Sequence, residues 1–78
     1  MTAPALPTIG TKFLYRRSLA ARELVVWTVQ DIWTTTNAAG EVVKVEYRCT
    51  HPFAGMSVEA GFPVVSIQMA IADRGVPG

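Results

Sequence analysis

The tetrapeptide Asn37-Ala38-Ala39-Gly40 lies between two long runs of alternating polarity and constrains the chain more than any other stretch. Asn at the first position and Gly at the fourth is the composition of a type I turn closed by a left-handed glycine. The turn predicts a hairpin with Asn37 opposite Glu41, and then Thr35 opposite Val43, Trp33 opposite Val45, Asp31 opposite Tyr47, Val29 opposite Cys49 and Trp27 opposite His51. Side-chain parity tests this register, because a slip of one residue sends a whole strand to the other face. On the return strand Val43, Val45, Tyr47 and Cys49 alternate with Lys44, Glu46, Arg48 and Thr50. The outgoing inner set is Val25, Trp27, Val29, Asp31, Trp33 and Thr35, and all but Asp31 suit a core. No bulge is needed, at the cost of an inward Asp31.

Other segments alternate in the same way. Phe13 and Tyr15 oppose Lys12, Leu14 and Arg16, and Arg17 to Glu23 is too short for a stable helix. After His51-Pro52-Phe53-Ala54-Gly55, Met56, Val58, Ala60 and Phe62 oppose Ser57, Glu59 and Gly61. Beyond Pro63, Val65, Ile67, Met69 and Ile71 alternate with Val64, Ser66, Gln68, Ala70 and Ala72, which reads as a fifth strand. The expected fold is therefore all-β, a five-stranded, partly open small barrel over residues 11–73. Residues 1–10, with Pro4, Pro7 and Gly10, read as a flexible N-terminal arm, and residues 74–78 as a frayed tail. The second strand, about 40 Å long at roughly 3.3 Å per residue, should bend to serve both sides of such a barrel.

Composition bounds the function classes. Half of the 78 residues are hydrophobic and 17% are charged, so some apolar side chains must stay outside and call for a partner or a second copy. A net charge of +1 selects neither nucleic acid nor protein as partner. The single cysteine forms no intramolecular disulfide, and a reducing cytoplasm is the expected setting. No apolar run is long enough to span a membrane, and the N-terminus lacks the pattern of a signal peptide.

The stretches "GTKFLYR", "VVWTVQDI" and "PVVSIQMAIAD" together resemble the SH3-like small-barrel class, in which a strand opening with Gly precedes a long bent strand carrying a Trp. That class implies a binding fold without naming the ligand. The wording "TVQDIWTTTNAAGEVVKVEYRCTH" is similar to small proteins encoded by phages and other mobile elements, which implies an accessory role. One enzyme on such barrels is the plasmid-encoded, trimethoprim-insensitive dihydrofolate reductase, with a Val-Gln-Ile-Tyr run on its last strand. The nearest stretch here, Val65-Ser66-Ile67-Gln68-Met69, displaces the Gln and lacks the Tyr, so the binding residues do not carry over.

Candidate residues fall into groups. Asp31, with Tyr47 as its expected cross-strand partner, is either an acid in a cleft or a structural carboxylate at a barrel opening; buried polar groups are normally hydrogen-bonded, which favours the second. Cys49 and His51 share a face, but a metal site needs three or four ligands and no second His or Cys cluster exists; core roles are the commoner ones. Trp27, Trp33, Tyr15 and Tyr47 have inner parity and suit core packing better than a stacking platform. Lys12, Arg16, Arg17 and Arg48 would serve a nucleic-acid surface, although basic residues also protect strand edges. The outward set Leu14, Leu24, Val26, Ile32, Val42 and Val64 occupies positions where a monomer normally places polar side chains.

The expected function is a non-enzymatic interaction module, without cofactor or metal, whose outward apolar face is buried against a larger protein or in a homo-oligomer. A nucleic-acid-binding barrel and an oligomeric pore enzyme are the alternatives.

Overall fold

The computed structural model describes residues 6–77. It is mostly β, with strands β1 (Lys12–Arg16), β2 (Leu24–Thr36), β3 (Val42–Phe53) and β4 (Met56–Phe62) followed by one helix, α1 (Val64–Arg74). The strands form a four-stranded antiparallel sheet in the order β1-β2-β3-β4. The sheet is open: β1 and β4 are its edges and are not paired with each other.

The segment expected as a fifth strand is the helix. Its apolar residues fit both periods, since Val65, Ile67, Met69 and Ile71 are two apart while Val64, Ile67, Ala70 and Ile71 follow a helical face. Packing selects the helical face: Ile67 and Ala70 are buried, and Val64 and Ile71 pack against the same core, while Val65 and Met69 are exposed. Pro63 leads in with a preset φ of −71°, and Gly75 ends the helix at φ 76°, its N–H donating to the Ile71 carbonyl at 2.8 Å. With a helix in that place, no strand among the described residues remains to close a barrel.

The core lies between the concave face of the sheet and α1. It comprises Phe13, Trp27, Val29, Tyr47, Cys49, Phe62, Ile67 and Ala70, and His51, the one buried polar residue among those described, sits among them. Phe62 from β4 meets Phe13 of β1 edge-on at 5.3 Å between ring centroids, and Trp27 at 4.8 Å. In a flat sheet those strands would stand about 14 Å apart, so the sheet must curl strongly to bring the rings together. At the far end of α1, Arg74 Nη1 donates to the Leu14 carbonyl at 3.3 Å, tying the helix to β1.

Both hairpin turns follow from local chemistry. Asn37 Oδ1 accepts from the Ala39 and Glu41 amides at 2.9 and 3.0 Å, and Gly40 takes φ 82°. Between β3 and β4, Ala54 and Gly55 have φ 52° and 78°, the two left-handed residues of a tight hairpin turn. The strand β3 thus runs through His51 and Pro52 to Phe53.

The register of β2 against β3 corrects the sequence expectation in its middle. Val29 faces Cys49 as expected, but Asp31 faces Arg48, Ile32 faces Tyr47, Trp33 faces Glu46 and Thr34 faces Val45. Pairing shifts by one between Val29 and Asp31, and shifts back between Thr35 and Thr36, which pairs with Val42. Gln30 is the extra residue on β2 and Val43 the extra residue on β3. The two bulges compensate, so the ends agree with a bulge-free ladder and only the centre is displaced. The physical reason is burial: the first bulge turns Ile32 toward the core and releases Asp31 and Trp33 to solvent.

Of the expected N-terminal arm, residues 1–5 lie outside the described residues, as does Gly78 of the tail. Closer to β1, Gly10 N–H donates to the Val29 carbonyl and Val29 N–H to the Thr11 carbonyl, at 2.8 and 2.9 Å.

Candidate interaction surface

The hairpin formed by β2 and β3 outruns everything packed on it. Pairing of β1 reaches only Thr28 on β2, and pairing of β4 reaches only Tyr47 on β3. Beyond the Ile32–Tyr47 pair the hairpin continues as a bare two-stranded arm whose residues from Trp33 to Val45 are all exposed. The arm carries four large apolar side chains: Trp33 at 54% exposure, Val42 at 58%, Val43 at 60% and Val45 at 36%. Such a ribbon gains nothing from a core and is marginal on its own in water.

At the base of the arm, on the convex face, Trp33 is held rather than loose. Its Nε1 donates to Asp31 Oδ2 at 2.9 Å, and the Arg48 guanidinium stacks 4.8 Å from its ring centroid. Arg48 in turn pairs with Glu46 at 2.8 Å and Glu59 at 2.6 Å, contacts that push its already high pKa further up, the Glu59 hydrogen bond contributing most. Gly61 of β4 makes room for this network. A Cβ at that position would stand 2.5 Å from Glu46 Cδ. Gly61→Ala is expected to drive Glu46 off Arg48 and loosen the stack on Trp33, read as a change in tryptophan emission with the far-ultraviolet circular dichroism unchanged.

The expected apolar face divides into three. Leu14, Leu24 and Val26 do share the convex face of β1 and β2, with Leu14 opposite Val26. Val42 belongs to the arm. Ile32 and Val64 are corrected: both pack partly buried against the core, Ile32 because of the bulge and Val64 because it opens a helix. Trp33 is likewise corrected from core to surface, whereas Trp27 is buried as expected and donates its Nε1 hydrogen to the Arg16 carbonyl at 3.3 Å. Val43 and Val45, given to the core by parity, are exposed because the arm extends past α1.

Asp31 and Tyr47 do not meet. Tyr47 is buried opposite Ile32, and Asp31 is exposed, its Oδ1 accepting from the Ile32 amide at 2.9 Å. The basic candidates are spread and largely engaged. Arg17 pairs with Glu23 at 3.2 Å and stacks on Phe53 at 4.7 Å, and Arg48 is committed to its two glutamates. Lys12 and Arg16 remain exposed, about 13 Å apart along β1.

Cys49 and His51 are core residues. The thiol donates to the Tyr47 carbonyl at 3.4 Å, and burial pushes it up to about 11 against a smaller downward pull from Arg48. A thiol that ionises more readily when unfolded costs stability as pH rises. Stability is therefore fully present below the ordinary thiol range and lost progressively between roughly pH 9 and 11, a slope that Cys49→Ala should flatten in denaturant titrations. His51 Nδ1 donates to the Pro52 carbonyl at 3.1 Å, and its ring packs edge-on to Trp27 at 4.4 Å. Among the described residues no three His, Cys, Asp or Glu side chains converge as a metal site would require.

A recess of about 230 Å³ lies beside the loop after β1, floored by Tyr15, Trp27 and Phe62. It is almost wholly apolar in its lining and small for a ligand site. The stretch nearest to the reductase run, Val65 to Met69, lies on α1 and not on a strand. Among the described residues no helix is long and apolar enough to cross a membrane. Compared with protein-family models, with curated proteins and with solved structures, the chain matches none.

Proposed function

We propose that the chain is a non-enzymatic interaction module whose working surface is the β2–β3 arm, and that it acts by occupying a surface of a larger protein. The observation that carries this reading is the arm itself, with Trp33, Val42, Val43 and Val45 exposed on a ribbon that no flanking strand of the described residues accompanies. Exposed apolar side chains on so small a domain are a standing cost in water unless a partner covers them. Trp33 has the features of an interface anchor: it is large, half exposed, and fixed by Asp31 and Arg48, so little freedom is lost on binding. The similarity in wording to phage and mobile-element proteins fits an accessory role of this kind, in a reducing compartment where the lone Cys49 stays a thiol.

A nucleic-acid role has less support, because Arg17 and Arg48 are already neutralised by carboxylates of the same chain. Salt separates the two readings. Phosphate contacts weaken steeply between about 50 and 200 mM salt, whereas an apolar contact hardly responds. Binding of a captured partner that survives the salt increase supports the arm reading, and binding that collapses with salt favours nucleic acid.

A further inference from the structure

The arm has two long edges, and they differ. On the β1 side, Val29 exchanges backbone bonds with Gly10 and Thr11, after which no strand among the described residues accompanies β2. Backbone groups of a strand point alternately to its two sides, so past the extra residue Gln30 the next amide aimed at the open side belongs to Ile32. Asp31 Oδ1 takes that amide at 2.9 Å while Oδ2 holds the Trp33 indole at 2.9 Å. A bulge and a carboxylate folded back on the edge are two of the devices by which sheets refuse further strands.

We infer that Asp31 is an edge guard, whose carboxylate keeps the open edge of β2 from pairing with the same edge of a second copy. The identity of the occupant follows from the segment the carboxylate shields. Residues 32–36, Ile-Trp-Thr-Thr-Thr, hold only β-branched and aromatic side chains, with no charge, Gly or Pro. Antiparallel pairing of that segment with itself opposes no like charges. The other edge, Val42 to Glu46, is centred on Lys44, and pairing with itself would set two ammonium groups face to face. Self-pairing through β2 is thus the route that Asp31 obstructs, beside the bulge at Gln30. The inference is independent of the partner reading, since it concerns the edge of the arm and not its side chains.

Sedimentation velocity over a micromolar concentration series tests it, with Asp31→Ala, Asp31→Asn and Trp33→Phe beside the wild type. Asp31→Ala is expected to move to concentration-dependent dimers and larger species. Asp31→Asn, which keeps an acceptor for the Ile32 amide but not the charge, should fall between, and Trp33→Phe, which keeps that bond, should sediment as wild type. A folded Asp31→Ala protein with the wild-type profile throughout would overturn the inference. Amide exchange in the wild type guards against a variant that fails to fold. The Ile32 amide should exchange about tenfold more slowly than that of Thr34 on the same edge, after correction for intrinsic rates, and equal rates would also overturn it.

Discussion

Phe62→Ala is expected to leave little folded protein. The ring carries β4 across the concave face to β1, touching Phe13, Tyr15 and Trp27 at centroid distances of 5.3, 5.2 and 4.8 Å. Truncating a buried Phe costs about 3–5 kcal/mol, the transfer of the ring plus the cavity left behind. A domain of this size has a total stability of only about 4–12 kcal/mol, so the loss takes a large share of it. The cost should lie at the upper end, because an open sheet has no β1–β4 hydrogen bonds to hold its curl once the ring is gone. Urea titration followed by circular dichroism should show the midpoint collapsing toward zero denaturant. By contrast, Met56→Ala on the same strand, at 72% exposure, should shift it little.

The second large effect concerns binding. Val42→Lys combined with Val43→Glu places opposite charges at the two most exposed large apolar positions of the arm and leaves the net charge unchanged. Exposed substitutions of this kind usually change stability by less than about 0.5 kcal/mol each. Across an interface the same charges would be desolvated without partners, and a loss of partner affinity of at least about a hundredfold, near 3 kcal/mol, is expected. Calorimetry or surface-based binding against the captured partner measures the affinity, and denaturant titration confirms that the fold is intact. Ile32, an outward position by simple parity, would be a poor choice for the same test because it packs on the core.

Much of the central hairpin was legible in the residues themselves. Asn37 and Gly40 specify the turn, and Val29 opposite Cys49 is where the turn places it. The bulges at Gln30 and Val43 were not legible, because they cancel and leave the strand ends in the same register. Their one trace was the anomaly they resolve, an aspartate assigned to the core with an isoleucine turned outward. Inverting that pair by one extra residue removes both problems, so Asp31 itself was the signal. The helix was hidden for a different reason: Val, Ile and Met after Pro63 satisfy a period of two and a period of 3.6 alike. Pro63 at the start and Gly75 at the end are the marks that distinguish a helix here from a strand.

The candidate site was legible only in kind. An excess of apolar residues required an exposed apolar surface, and alternation assigned it to the wrong positions wherever it assumed a core on one side of the whole length of β2 and β3. Where α1 and the flanking strands stop, inner parity no longer means burial. Val43 and Val45 became surface residues for that reason, and Trp33 because the bulge at Gln30 turns it to the outer face.

The central claim is that the arm is the surface by which this protein meets another. Parallel affinity capture from the native host tests it most directly, using the wild type and the Val42→Lys/Val43→Glu protein as baits, each washed at low and at high salt. The account predicts one partner retained by the wild type at both salt concentrations and absent from the variant at both. The same partner recovered equally by both baits would contradict it.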